Sequence, residues 1–187
     1  MTKRVFVLAA VLALCGAASA AIERQGSFEI LLGNFRINDP LFETIYTNSG
    51  PIRGLAITAA LFFHFDFYLE VKVFTQKGLL SFSREATNFS LIPFSVGFRY
   101  RAPLGLIEPF IGAGLDYDVF YEKNSIGTTV DYARGSHFLA GVSLRPGRSF
   151  PVAVTGRIKY TAIKAVHGGR TIDLGGFEAG GGLSLIF

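Results

Sequence analysis

Hydrophobic residues recur at every second position through most of this chain, in stretches of about ten separated by connectors that alternate long and short. The last stretch shows the pattern plainly. Counting back from Phe187, one row is Leu185, Leu183, Gly181, Ala179 and Phe177, and the other is Ile186, Ser184, Gly182, Gly180 and Glu178. A period of two with one apolar row predicts a β-strand that presents a greasy face.

Seven earlier segments read the same way. Phe28, Ile30 and Leu32 oppose Ser27, Glu29 and Gly33 in the first, and Leu55, Ile57, Ala59 and Leu61 oppose Gly54, Ala56 and Thr58 in the second. A tight turn at His64 to Asp66 leads to a third, with Phe67, Leu69, Val71 and Val73 against Tyr68, Glu70 and Lys72. The fourth sets Ile92, Phe94, Val96 and Phe98 against Ser95, Gly97 and Arg99, and the fifth sets Ile111, Ala113, Leu115, Tyr117 and Val119 against Gly112, Gly114, Asp116 and Asp118. The sixth and seventh place Phe138, Ala140, Val142 and Leu144, then Val152, Val154, Ile158 and Tyr160, on the apolar row. Their partners are His137, Gly141, Ser143 and Arg145, then Thr155, Arg157 and Lys159. Long connectors are expected at Arg36–Pro51, Gln76–Asn88, Lys123–Arg134 and Lys164–Arg170, with short links near His64, Pro103 and Pro146. An even number of strands joined in this way predicts an all-β fold, an eight-stranded antiparallel up-and-down barrel.

Composition settles which solvent the apolar row faces. The 187 residues include 19 Phe and 22 Gly, no Trp, and only 17% charged residues. Past the first twenty residues the longest apolar run, Leu55 to Phe63, is too short for a membrane helix. In lipid the remaining structure that satisfies every backbone group is a closed barrel. A soluble lipocalin-type barrel shares the period, but its outer row is polar. Here the second row is mostly Gly, Ser, Thr and Ala with a few charges, which suits a cramped interior better than a wet exterior. The apolar row carries no charge at mid-strand, where one facing lipid would cost about 2–4 kcal/mol. Tyr100, Tyr117, Tyr121, Tyr160 and Phe187 fall near strand ends, as girdle residues do.

The amino terminus agrees. Residues 1–20 have Lys3 and Arg4, an apolar stretch from Val5 to Leu14, and Ala18-Ser19-Ala20, which reads as a secretory signal cleaved before Ala21. Cys15 offers a lipoprotein alternative, against which stands Leu14 where a small residue is normal. Residues 21–187 then form one barrel domain without cysteine. Two of the 18 Lys and Arg leave with the leader, and the remaining 16 against 14 acidic residues give a balance of +2, too small to argue for nucleic acid.

The interior row is where candidate chemistry lies. It carries Glu29, Glu70, Asp116, Asp118, Glu122 and Glu178 together with Lys72, Arg99, Arg145, Arg157 and Lys159. Eight strands leave an interior about wide enough for its own side chains. Buried charges at this density are expected to pair, either as packing or as the lining of a narrow polar path.

Two stretches resemble known families. Phe187, Leu185 and Gly182, with the aromatic at the last position, the apolar residue two before it and the glycine five before it, resemble the assembly signal of outer-membrane barrels. Gly180 stands where that signal is usually polar. Glu108 to Asp118 resembles the Pro-aromatic-x-Gly-x-Gly-x-x-Tyr strand of small porin-like proteins of the outer membrane protein W, X or opacity type, through Pro109, Gly112, Gly114 and Tyr117. The resemblance implies the outer membrane of a Gram-negative cell, contact with its lipids and lipopolysaccharide, and insertion by the barrel assembly machinery with periplasmic chaperones. It also implies functions from small-solute passage to adhesion and envelope integrity. The charged interior departs from outer membrane protein W and argues against an apolar-solute channel.

Catalysis is weighed on three histidines. His64 lies at a short turn, His137 near the outer end of the sixth strand, and His167 in the last long connector. Ser136 and His137, with Asp118, Glu122 or Asp131, supply a nucleophile, a base and a carboxylate, but adjacent strand residues point to opposite faces. No nucleophile elbow and no His-x-x-x-His metal spacing is present. Arg84, Lys123, Arg134 and Arg170 near the outer ends are candidates for lipopolysaccharide phosphates, set against ordinary solvated charges. The sequence therefore predicts a monomeric, cofactor-free barrel with a structural or contact role. A narrow pore for small polar solutes is the alternative, and a lipid-modifying enzyme stands behind both.

Overall fold

The computed structural model describes residues 25–40, 42–62, 64–80, 84–125, 127–147, 150–167 and 170–187. The signal sequence, its cleavage site and Cys15 lie outside the described residues.

Nine strands and one short helix follow the alternation. They are β1 (Gly26–Ile37), α1 (Phe42–Ile45), β2 (Ser49–Ala60), β3 (Phe65–Leu79), β4 (Ala86–Arg101), β5 (Ile107–Lys123), β6 (Thr128–Leu144), β7 (Val152–His167), β8 (Arg170–Asp173) and β9 (Gly176–Ile186). Each strand from β1 to β7 pairs antiparallel with the next, β7 pairs with β9, and β9 pairs with β1. These eight strands close a barrel, which removes every sheet edge. The ninth, β8, only folds back on the end of β7. Closure runs to the carboxyl end: Gln25 N and Gly26 N donate to the Phe187 carbonyl at 2.7 and 2.8 Å.

Because the side-chain period is two, register fixes the two faces. The row Ile30, Leu55, Val71, Phe94 and Tyr117 runs strand to strand across the pairings and points outward. Outward residues are bulky, apolar and exposed: Leu32 is 66% exposed, Leu115 65% and Phe138 67%. The aromatics form outward pairs, with Phe65 against Tyr100 at 5.3 Å near the short turns and Tyr117 stacked on Tyr132 at 5.7 Å. Polar and charged residues fill the lumen instead.

The connectors differ from expectation. β3 runs on to Leu79 and β4 starts at Ala86, β5 and β6 extend to Lys123 and from Thr128, and β7 continues to His167. Much of three of the four expected long loops is thus strand, among the described residues. On β3 and β4, beyond the mid-strand apolar band, the outward row turns polar at Thr75, Lys77, Asn88 and Ser90, so the apolar alternation ends before the strand does. The fourth, Arg36–Pro51, carries α1 and folds inward, burying Phe42 and Tyr46.

Candidate functional site

The lumen is stacked in layers, and alternate residues along each strand step through them. At the short-turn end, Asp66 of β3 holds two guanidinium groups. Arg101 meets it through both Nε (2.6 Å) and Nη2 (2.8 Å), and Arg99 Nε lies 3.0 Å away. Arg101 Nη1 also reaches Glu108 at 3.1 Å, and Arg99 Nη2 reaches Glu29 at 2.8 Å. Such forked pairs suit arginine's fixed geometry. Ser27 steadies Glu29 by donating to Oε1 at 3.1 Å.

Above this lies a thin apolar layer of Tyr68, Phe110 and Leu139, and Arg99 stacks on the Phe110 ring at 5.1 Å. The next layer is the main charge cluster. Lys72 Nζ touches Glu70 at 2.7 Å and Glu178 at 2.5 Å, and Arg157 spans the same two carboxylates at 2.6 and 3.3 Å. Lys159 Nζ reaches Asp116 at 2.9 Å, Ser95 Oγ at 2.7 Å and Glu70 at 3.3 Å. Three carboxylates face three cations, so the cluster is neutral in sum. That balance is what permits burial, because lone charges here would carry their full desolvation cost.

A Tyr68–His137–Asp116 chain completes the layer. His137 Nδ1 lies 2.7 Å from Asp116 Oδ2, and Nε2 bonds the Tyr68 hydroxyl. Two glycines make room for it. Gly97 and Gly114 face each other across β4 and β5; a Cβ on Gly97 would come within 2.7 Å of the Tyr68 oxygen, and one on Gly114 within 2.8 Å of the His137 ring.

The outer half of the lumen is apolar. Phe35, Phe74, Phe89, Leu91, Phe120 and Ile163 pack from the strands, and Phe42 and Tyr46 close over them from the first connector. Phe42 stacks on Tyr46 at 4.7 Å and meets Phe89 edge-on at 4.9 Å. Tyr46 bonds Thr87 at 2.8 Å, and Thr87 donates to Glu122 at 3.1 Å. Burial pushes the Tyr46 phenol up to about 12, and nearby Glu122 adds to this.

Of the interior residues expected from sequence, Glu29, Glu70, Lys72, Arg99, Asp116, Arg157, Lys159 and Glu178 are brought into this ion-pair system. Three stand apart from it, among them Glu122, which accepts from Thr87. Asp118 is buried with Oδ1 unpartnered, and Arg145 sits at the short-turn mouth, donating from Nε to the Phe150 carbonyl at 2.7 Å. His137 is corrected in place: β6 begins at Thr128, so it is central and 1% exposed. Its carboxylate is Asp116, not Asp118, Glu122 or Asp131, and Ser136 points outward, away from it. Gly182 lines the lumen, whereas Leu185 and Phe187 are exposed outward. Arg84 lies exposed at the β3–β4 tip, Lys123 and Arg134 point outward at the long-hairpin end, and the side chain of Arg170 lies outside what is described.

Sequence reading missed Asp66, Arg101 and Glu108. Asp66 was absorbed into a turn, although its parity with Glu70 and Lys72 marks it as inward. Among the described residues no group of His, Cys, Asp and Glu is arranged to hold a metal ion, and no helix is long and apolar enough to cross a membrane.

Solved structures share this architecture. Neisserial surface protein A superposes with a TM-score of 0.67 at 16% identity, covering 87% of this chain and 97% of that one. The outer membrane protein OprG from Pseudomonas aeruginosa gives 0.69 at 12% identity, covering 90% and 99%. Ail, the attachment invasion locus protein of Yersinia pestis, gives 0.53 at 9% identity, covering 88% and 99%. No protein-family model matches the sequence, and no curated protein matches it. The fold is that of the small outer-membrane barrels.

Proposed function

We propose that this chain is an integral outer-membrane barrel with a sealed lumen, serving envelope integrity and surface contact rather than transport or catalysis. The observation that carries the reading is the filling of the lumen from end to end. At the short-turn end, the void between Arg99, Arg101 and Phe110 measures about 10 Å³, about one water. At the outer mouth a void of about 230 Å³ lies between α1, Phe89 and Phe120, and it ends on the apolar plug. Between them stands the neutral charge cluster. The two voids share no lining residue, and an ion passing between them would have to break several buried pairs.

The outward face supports the location. A mid-strand band of Leu, Ile, Val and Phe suits hydrocarbon, and the aromatic pairs at its margins suit the two interfaces. In this reading Leu185, Phe187 and Gly182 on the closing strand serve as the assembly signal, and the sequence at 1–20 directs export. Surface contact falls to the hairpin ends, where Val130, Tyr132 and Val166 are exposed. Two of the similar structures are by name a surface protein and an attachment invasion locus protein, which fits such a role. His137, weighed as a base from the sequence, is walled in by Tyr68 and Asp116, which supports a role without lipid modification.

Planar-bilayer recording tests the reading. The purified barrel is expected to leave the bilayer silent across physiological voltages. Discrete openings that vanish when Arg99 and Glu70 are replaced would establish the narrow polar pore instead.

A further inference from the structure

Charge is sorted between the two faces of this barrel. Among the described residues of the eight barrel strands no carboxylate points outward: Glu29, Asp66, Glu70, Glu108, Asp116, Asp118, Glu122, Asp131 and Glu178 all lie on the lumen row, and outside the barrel strands Asp173 of β8 pairs with Lys164. Cations do point outward, and all of them sit toward the long-hairpin end: Arg36, Arg53, Lys77, Lys123, Arg134 and Lys164. Among the described residues the short-turn rim shows no outward cation. A solvated surface has no reason to reject one sign at one rim, whereas a leaflet of anionic lipid does.

One of these cations heads a groove. The outer wall is concave across β2 to β5, over a volume of about 880 Å³, with Leu55, Leu69, Val71, Phe94, Val96 and Leu115 as its walls. Arg134 and Tyr117 form its upper end. They are register partners, and the guanidinium carbon lies 5.8 Å over the Tyr117 ring. The outward neighbours of Arg134 along β6, Tyr132 and Ser136, are uncharged. Stacking fixes the plane of the guanidinium while leaving its N–H fork exposed.

We propose that this groove is a lipid site on the outer wall, in which an acyl chain lies along Leu115, Phe94 and Leu69 and a sugar-linked phosphate is held by Arg134. The occupant is lipid A of lipopolysaccharide. Its phosphates lie at the level of the cationic rim, they accept the forked hydrogen bonds that arginine offers, and its chains are saturated and ordered enough to fill a fixed groove. The inference rests on the proposed outer-membrane location and gives that location a specific lipid partner.

Native mass spectrometry of the detergent-solubilised barrel, titrated with bis-phosphorylated lipid A, tests it. One lipid A is expected to be retained per barrel. Arg134→Gln should weaken it about five- to tenfold, the loss of one surface cation near anionic lipid. Lys77→Gln, outward on the same rim but six residues beyond Val71 and outside the groove lining, should change it less than twofold. Val96→Trp, which fills the groove floor, should weaken it while leaving Arg134 in place. Equal losses for Arg134→Gln and Lys77→Gln would mean a diffuse charged belt and overturn the site. Equal binding of phosphatidylglycerol would overturn the choice of lipid. All three variants alter exposed residues, so heat-modifiable gel mobility should confirm folding. A barrel that fractionates with membranes yet is indifferent to Arg134→Gln defeats this inference alone, whereas one that never enters the membrane fraction defeats the proposed function as well.

Discussion

Lys159 lies at the centre of the lumen, with its ammonium shared by Asp116, Ser95 and Glu70. Removing that one charge while keeping the bulk leaves the cluster with a surplus of buried carboxylate. Lys159→Met is therefore expected to destabilise the barrel by about 3–5 kcal/mol, the cost of orphaning a buried partner. Guanidinium unfolding in detergent measures this, and Lys164→Met on the outer wall supplies the reference, expected to move stability by less than about 0.5 kcal/mol. A loss below about 1 kcal/mol for Lys159→Met would mean that water already reaches the cluster. At this scale the site was legible from parity alone: eight of the eleven charged interior residues read from the alternation join the ion pairs. Pairing partners were not legible, since Lys159 and Glu70 are 89 residues apart and meet only through closure. Asp118 and Arg145 share the parity but not the partners, and alternation has no means of telling these apart.

The elements divide the lumen between two kinds of filling. The lower halves of β3, β5 and β7 carry the charges, and their upper halves, with α1, carry the apolar plug. Phe89 is at the junction, in contact with the rings of Phe42, Tyr46 and Phe120. Phe89→Ala should cost about 3–5 kcal/mol through the cavity it leaves, read as a lowered thermal midpoint. It should not raise conductance, because both charge layers beneath it remain. Raised conductance with unchanged charges would show that the plug alone seals the lumen. The plug was not legible from sequence. Phe74, Leu91 and Phe120 fall on the polar row, and a row dominated by Gly, Ser and Glu lower down gives no hint that it turns apolar above. The extensions of β3 and β4 escaped for the converse reason, as their outward residues turn polar beyond the mid-strand apolar band.

For the whole molecule the account reduces to a pair of opposite environments separated by one thickness of sheet. Outward residues meet hydrocarbon, inward ones meet each other, and water reaches neither at mid-barrel. The chain contains no Trp, so a single introduced Trp reports its own surroundings. The most direct measurement is fluorescence quenching of Phe94→Trp and Phe89→Trp barrels in vesicles, by brominated acyl chains and by aqueous acrylamide. The account predicts that brominated lipid quenches position 94 and spares position 89, and that acrylamide quenches neither. Strong acrylamide quenching at position 94 with no effect of bromine would contradict the lipid-facing wall, and strong acrylamide quenching at position 89 would contradict the seal.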